Sequence, residues 1–134
     1  MKNLIEIRWH GRGGQGAKTA ALLLADAALA SGKYIQAFPE YGPERMGAPV
    51  ASFNRLADEP ITIHSGVSEP KIVIVLDITL IKTVDVTNGL PQDGVLIINT
   101  AKSPSEIRKE LNISGRKIFT VDASKIANPF FSIK

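Results

Sequence analysis

The chain has 134 residues, of which 44% are hydrophobic and 22% are charged, and its formal net charge is +3. This composition is typical of one globular domain with its own core, and it excludes a long disordered segment. Without cysteine, the chain alone forms no disulfide, ligates no iron–sulfur cluster and offers no thiol nucleophile. The small positive charge follows no Lys- or Arg-rich stripe, which argues against nucleic-acid binding. It favours an anionic ligand or an acidic protein partner.

The sequence predicts a soluble cytoplasmic protein. Charged residues interrupt residues 1–9, so this segment is not a signal peptide. The longest apolar run is too short and too rich in alanine to cross a bilayer. Two histidines do not make an all-protein zinc site, and no metal-ligand spacing occurs. We therefore expect neither a membrane partner nor a bound metal.

Short runs rich in β-branched and aromatic residues alternate with runs of helix formers along the chain. This alternation favours an α/β fold that is layered and Rossmann-like, with a largely parallel sheet flanked by helices, in a single domain spanning residues 1–134. In chain order we predict strands at 4–9 and 33–38, a helix at 17–30 between them, strands at 50–56 and 71–77, a short helix at 80–86, a strand at 94–100, a helix after Ser103, and a strand at 117–123.

Two of the predicted helices carry further signals. The helix Ala17–Ala30 has only Lys18, Thr19 and Asp26 as polar side chains, so we expect it to be covered on most sides. The later helix has Ser103 as N-cap, proline in its first turn and a glutamate that completes a capping box.

The first strand leads into "GRGGQG" at residues 11–16, which has the G-x-G-x-x-G spacing. We expect the strand to end at Trp9 or His10 and the helix to start near Gly16. Unpaired N–H groups at a helix start favour negative charge, so an anion or a carboxylate side chain would suit this loop, and Arg12 would add charge.

A dinucleotide site would need more than these glycines. The Rossmann fingerprint places an acid at the end of the second strand, but this strand ends in Gln36, Ala37 and Phe38. The nearest acid, Glu40, follows a proline. A free-standing domain that binds NAD or FAD remains an alternative, as does a loop whose glycines only allow close packing of strand and helix.

The segment 39–49, "PEYGPERMGAP", has three prolines and two glycines and predicts a stiff loop. The loops after the first and second strands should meet at the same edge of the sheet. A stiff loop loses little entropy on docking, which favours binding over a rigid turn whose charges pair with each other. The candidate ligand or partner residues are Gly11, Arg12, Gly13, Gly14, Gln15 and Gly16 in the first loop, and Glu40, Tyr41, Gly42, Pro43, Glu44, Arg45 and Gly47 in the second.

"GRGGQG" followed by "QAFPEYGPERMGAPV" resembles the gamma subunit of pyruvate:ferredoxin oxidoreductase and related 2-oxoacid:acceptor oxidoreductases. "VLD", "IINT" and "VDASKIA" extend the resemblance, which runs from Leu4 to about Ala127 and is closer to the pyruvate and branched-chain ketoacid types. Met46 stands where the family leads us to expect a second arginine. The family's gamma domain continues beyond "NPFFSIK", so we expect the family's C-terminal part to be absent, leaving an incomplete sheet edge or an exposed apolar patch.

The resemblance implies a subunit of an enzyme that decarboxylates a 2-oxoacid, reduces ferredoxin and forms an acyl-CoA. It implies that thiamine diphosphate, Mg and iron–sulfur clusters are held by the partner alpha, beta and ferredoxin-like delta subunits. This chain would then hold no cofactor alone, contribute no catalytic acid or base and be inactive alone. Its loops would dock on the catalytic subunits, or they would help to bind coenzyme A.

Four single residues have simpler interpretations. We expect His10 to pack under the first loop and His64 to lie in a surface turn. Asp77, at the end of a buried strand, should cap the turn that follows. Trp9 should belong to the core or to an interface.

Overall fold

The computed structural model describes residues 2–40 and 45–127. Every predicted strand and helix is present within a few residues of its predicted bounds, and the predicted helix at 80–86 is a 3₁₀ helix that begins and ends earlier. The strands are β1 (Ile5–Arg12), β2 (Tyr34–Pro39), β3 (Pro49–Ala57), β4 (Ile72–Val75), β5 (Val95–Asn99) and β6 (Lys117–Val121); the helices are α1 (Ala17–Ala30), the 3₁₀ helix (Ile78–Lys82), α2 (Pro104–Leu111) and α3 (Ala123–Ala127).

The six strands form one sheet in the order β2-β3-β1-β4-β5-β6. The strands β1, β4, β5 and β6 run parallel to their neighbours, whereas β3 is antiparallel to both β1 and β2. The expected α/β fold is confirmed, but the sheet is mixed. Residues 40–48, which join β2 to β3, are too few to make the crossover that parallel neighbours require.

The main apolar core lies on one side of the parallel strands. Positions that point to this side of β4 and β5 are completely buried, because the 3₁₀ helix, the loop after it and α2 pack over them. Continuous β-branched runs such as residues 72–75 are typical of such buried strands. The core residues are Val73, Val75, Leu80, Val86, Leu90, Leu96, Ile98, Ile107 and Ile118.

Helix α1 lies on the other side of the sheet, against β1, β2 and β3. Its buried face consists of alanines, including Ala17 and Ala21, whose carbonyl groups accept hydrogen bonds from side chains of β3 at 2.7 and 3.0 Å. The expectation that α1 is covered on most sides is wrong. Leu23 and Leu29 are 64% and 61% exposed, since α1 has no second layer over it in the described residues.

Helix α2 begins as the sequence predicts. The Ser103 hydroxyl accepts a hydrogen bond from the Glu106 N–H, and the Glu106 carboxylate accepts one from the Ser103 N–H, which makes a capping box. Asp122 likewise accepts a hydrogen bond from the Lys125 N–H in the first turn of α3.

Candidate functional site: the junction of two loops

The first loop (residues 11–16) and the second loop (residues 40–48) meet at the edge where β1 ends and β3 begins. Here the Gly13 N–H donates to the Ala48 carbonyl at 2.8 Å, and the Gly47 N–H donates to the Gly13 carbonyl at 3.1 Å. Strand β1 runs on to Arg12 instead of ending at Trp9 or His10, because its pairing with β3 continues to this edge. We call the described part of this contact, residues 11–16 and 45–48, the loop junction.

Two of the glycines are explained by this contact. A Cβ atom at Gly13 would collide with the backbone carbonyl of Arg45, and a Cβ atom at Gly14 would lie 2.5 Å from the Met46 sulfur. Gly14 also has a φ of 88°, which other residues rarely adopt. Gly13 therefore lets the second loop close on the first, whereas Gly14 is required by its backbone conformation, because the exposed Met46 side chain can move aside. In the described structure, that space is filled by protein.

The backbone of the first loop is also largely satisfied within the chain. The Gln15 side-chain carbonyl accepts a hydrogen bond from the Arg12 N–H at 2.7 Å, and the Gln15 N–H donates to the Arg12 carbonyl at 3.0 Å. With the N–H of Gly13 donating to the second loop, three N–H groups of the first loop have partners, whereas the N-cap of α1, Gly16, makes no side-chain capping hydrogen bond.

The sheet order also weakens the dinucleotide alternative. In the described sheet β3 separates β2 from β1, which places the end of β2 about 10 Å from β1 by ordinary strand spacing. A Rossmann site needs the second strand beside the first, where its acid reaches the ribose. Glu40, at the end of β2, is therefore badly placed for that role.

A polar network holds the loop junction to the 3₁₀ helix. The Gln15 side-chain amide donates to the Asp77 carboxylate at 2.7 Å, and the Arg12 guanidinium lies 3.4 Å from the same carboxylate. Arg12 also donates to the Thr79 hydroxyl at 3.0 Å and to the Gly47 carbonyl at 3.1 Å. One side chain thus contacts the second loop and the 3₁₀ helix at once.

Asp77 does more than the sequence predicts. It caps the 3₁₀ helix by accepting a hydrogen bond from the Thr79 N–H at 2.9 Å, which confirms the predicted role. Hydrogen bonds from the Thr79 and Gln15 side chains, with the nearby Arg12 charge, lower the pKa of Asp77 to about 2. Its link to the first loop could have been anticipated, because β1 and β4 are parallel and end at the same edge.

His10 is buried, as predicted, and its side chain contacts Arg8, a partner that sequence reasoning missed. The Arg8 Nε–H donates to His10 Nε2 at 2.8 Å, and Arg8 Nη2 donates to the carbonyls of Val86 and Asn88 at 3.0 and 2.8 Å. Because His10 accepts this hydrogen bond, its ring is neutral. Burial, followed by the Arg8 charge, lowers the pKa of His10 to about 4.

Two cavities lie on this side of the sheet, and neither was predicted. A cavity of about 390 Å³ lies beside Arg8 and His10, with Asp85 and Glu40 in its lining. A wider groove of about 770 Å³ runs along β2 and β3, where the Phe38 and Phe53 rings stack at 5.3 Å between centroids. Glu40, the first residue of the second loop, lines both the cavity and the groove, so the two lie next to each other at this loop.

The remaining candidate residues of the second loop are either exposed or outside the described part of the chain. Arg45 and Gly47 are exposed in the loop junction, and Met46, where the family's second arginine was expected, is 87% exposed. Tyr41, Gly42, Pro43 and Glu44 lie outside the described residues.

Two residues outside the loops have the predicted surroundings. His64 is exposed between β3 and β4. Trp9 is half-buried, and its indole N–H donates to the Asn54 side chain at 2.7 Å beneath α1.

The described structure was also compared with the requirements for binding a metal ion and for crossing a membrane. Within residues 2–40 and 45–127, no group of three or more His, Cys, Asp or Glu side chains is arranged to hold a metal ion. None of the helices in those two ranges has the length and hydropathy to cross a bilayer.

Comparison with known proteins gives one consistent result. Residues 6–132 match the family described as pyruvate ferredoxin/flavodoxin oxidoreductase. The chain is 54% identical over 124 residues to the pyruvate/ketoisovalerate oxidoreductases common subunit gamma of Pyrococcus abyssi, covering 92% of this chain and 67% of the relative. It is 52% identical over 126 residues to the pyruvate synthase subunit PorC of Thermotoga maritima, covering 94% of this chain and 65% of the relative.

A solved structure agrees with the sequence relatives. The crystal structure of the pyruvate oxidoreductase subunit PORC from Thermotoga maritima superposes with a TM-score of 0.82 at 49% identity, covering 96% of this chain and 67% of that chain. The chain therefore spans about two thirds of the length of the proteins it matches.

Proposed function

Because this chain belongs to the pyruvate ferredoxin/flavodoxin oxidoreductase family, we propose that it is the gamma subunit of a complex that oxidises pyruvate or a branched-chain 2-oxoacid. The complex would decarboxylate the 2-oxoacid, transfer the acyl group to coenzyme A and pass two electrons to ferredoxin. Thiamine diphosphate, Mg and the iron–sulfur clusters would be held by the alpha, beta and ferredoxin-like delta subunits in the cytoplasm.

The role proposed for this chain is to dock on those subunits through the loop junction. The observation that carries this proposal is the closure of Gly13 against the Arg45 carbonyl, which makes the junction a solid surface. Arg45 and Met46 project from it, and a rigid surface with exposed Arg and Met side chains suits a protein interface. Arg12 would act from behind as a positioning residue, since its guanidinium ties Gly47 to Thr79.

A contribution to coenzyme A binding is the second candidate. The loop junction supports this role less well than docking, because several of its donor groups already have partners within the chain. A phosphate group needs N–H groups or cations that are free to contact it. The N–H groups of Arg12, Gly13 and Gln15 have partners within the chain, and the Arg12 guanidinium lies beside Asp77. Docking therefore fits the loop junction better than a phosphate site does.

Assembly and coenzyme A affinity can be separated by experiment. The chain would be co-produced with its native partner subunits as the parent, as Arg45→Ala, as Met46→Asp, and as the control Lys109→Ala on the exposed surface of α2. We expect the two loop variants to co-purify with at most a tenth of the partner subunits retained by the parent and the control. A stable complex with an unchanged yield but a raised KM for coenzyme A would instead favour the second candidate.

A further inference from the structure

The smaller cavity, of about 390 Å³, is lined by a buried arginine and a buried histidine. Arg8 and His10 are each only 7% exposed, and they point to the same side of the sheet because they are two residues apart in β1. In the described part of the chain, Arg8 forms no ion pair with a carboxylate. A buried guanidinium is costly without a counter-ion, so Arg8 is suited to bind an anionic group.

Two N–H donors in this cavity have no acceptor among the described residues. Arg8 donates through Nε to His10 Nε2 and through Nη2 to two backbone carbonyls, which leaves Nη1. Because His10 Nε2 accepts a hydrogen bond, the neutral ring carries its proton on Nδ1. No side-chain nitrogen or oxygen that is sealed from solvent lacks a partner in the described ranges. Arg8 Nη1 and His10 Nδ1 therefore open onto the cavity.

Two carboxylates line the same cavity. Asp85, after the 3₁₀ helix, and Glu40, directly after β2, are exposed, and neither forms an ion pair within residues 2–40 and 45–127. Burial lowers the pKa of Arg8, and the negative charges of Asp85 and Glu40 act against this shift. The two carboxylates are thus near Arg8 without being paired to it, and they can contact a cationic group while Arg8 contacts an anionic one.

The rest of the cavity wall is largely apolar. It includes the side chains of Ala51, Phe53, Val67, Leu80 and Val84. An apolar lining with a few convergent polar groups is typical of small-molecule sites, and the volume of about 390 Å³ lies in the lower part of their range.

We propose that this cavity binds a free α-amino acid with an apolar side chain. The carboxylate of the amino acid accepts hydrogen bonds from Arg8 Nη1 and His10 Nδ1. Its ammonium group lies against Asp85 and Glu40, and its side chain contacts the apolar wall. A simple anion would pair with Arg8 but would be repelled by the two carboxylates, whereas a zwitterion complements both charges.

This proposal goes beyond the proposed function and does not depend on it. No residue of the loop junction lines the cavity. The test uses the pure full chain, so its failure would leave the co-purification result unchanged.

Calorimetric titration with L-leucine, leucinamide and isocaproate tests the class of ligand. We expect leucine to bind at one site with a submillimolar dissociation constant. Leucinamide lacks the carboxylate and isocaproate lacks the ammonium group, so each should bind about tenfold more weakly, because each loses charge-assisted hydrogen bonds. Leucinamide also resembles the N-terminus of a polypeptide, so equally tight binding of leucinamide would identify a chain end as the ligand and overturn the proposal.

Two variants test the placement of the ligand. Asp85→Asn retains an oxygen for the hydrogen bonds from Thr87 but removes the charge, so it should weaken leucine binding about fivefold and leave isocaproate binding unchanged. Asp26→Asn, on the exposed surface of α1, is its control. Ala51→Leu should fill part of the cavity and abolish leucine binding, whereas Ala27→Leu, which is exposed on α1, should bind as the parent does.

The two histidines of the chain give a further readout. In NMR spectra, leucine should shift the ring signals of His10 and leave those of the exposed His64 in place. The proposal is wrong if leucine does not bind at millimolar concentration, if isocaproate binds as tightly as leucine, or if folded Ala51→Leu binds leucine normally. If Ala51→Leu does not fold, the three ligands and Asp85→Asn decide, because they require no buried substitution.

Discussion

Gly13 and Arg45 are in such close contact that a Cβ atom at Gly13 would overlap the Arg45 carbonyl oxygen. The neighbouring hydrogen bond from the Gly13 N–H to the Ala48 carbonyl, at 2.8 Å, fixes the two loops at this separation. A glycine that matches a nucleotide-binding spacing thus serves contact between two segments of the same chain.

Gly13→Ala should force the loops apart. Relief of a collision with backbone atoms requires movement of one loop, and overpacking of this kind costs about 1–3 kcal/mol of unfolding free energy. Urea unfolding of the chain measures the loss. Gly66→Ala is the matched control, because nothing lies within 4 Å of a Cβ atom there. Equal stability of the two variants would show that the loops are not closed in solution.

Asp77→Asn should lower the unfolding free energy near pH 7 by roughly 1 kcal/mol, a typical value for a partly exposed ion pair. Asparagine still caps the 3₁₀ helix through its carbonyl oxygen, but its NH2 group cannot accept the hydrogen bond from Gln15, so the loss reports on that hydrogen bond and on the charge beside Arg12. The pKa of Asp77 is lowered from 3.8 to about 2, so its ionised form stabilises the fold above about pH 4 and this stabilisation disappears as the pH falls through 2.

Unfolding free energies of the parent and of Asp77→Asn, measured at pH 7 and pH 2.5, test whether the ionised Asp77 carboxylate stabilises the fold. The difference between parent and Asp77→Asn should shrink at the lower pH, while Asp26→Asn, an exposed substitution on α1, should match the parent at both. A difference that stays constant between the two pH values would rule out a contribution from the charge.

His10 should make the fold sensitive to mild acid. Its pKa is about 4 in the folded chain against 6.5 without the fold, so the unfolded chain binds the proton first. The stabilisation is complete above about pH 6.5 and decreases as the pH falls towards 4, by up to about 3 kcal/mol. Urea unfolding between pH 7 and pH 4 measures this slope.

The variant His10→Gln isolates that effect. Its side-chain carbonyl can still accept the hydrogen bond from Arg8, but it does not titrate. Its unfolding free energy should therefore vary less than that of the parent above pH 4, whereas the exposed substitution His64→Gln should retain the slope. A parent protein whose stability is flat across this range would contradict the buried, neutral ring.

Ser103→Ala should destabilise α2 by about 1 kcal/mol, because the Glu106 N–H loses its capping partner. Thermal unfolding measures the change. Ser105→Ala, one residue into the same helix and exposed, is the control and should leave the melting temperature nearly unchanged. Equal effects of the two substitutions would mean that the capping box does not contribute.

Local signals in the sequence predicted the local structure well. Helix α1 has the predicted bounds because a glycine-rich loop precedes a long run of helix formers. The caps at Asp77 and Ser103 also follow from residue type and spacing. These features depend on neighbours in the chain, which a sequence pattern records directly.

Features that depend on distant segments were missed or only partly predicted. The hydrogen bonds from Arg8 to Val86 and Asn88 join residues far apart in sequence, and no local pattern indicates them. The insertion of β3 between β1 and β2 likewise depends on the pairing of whole strands. Of the candidate site, the meeting of the two loops was predicted, because strand ends share an edge, but the closure of Gly13 on Arg45 was not.

The dual contact of Arg12 has a mechanical consequence. Its guanidinium joins the Gly47 carbonyl at the rim to Thr79, and Leu80, the next residue, is wholly buried. Displacement of Gly47 would therefore break its hydrogen bond to Arg12 and free one end of a guanidinium whose other end is held by Thr79, next to this core residue.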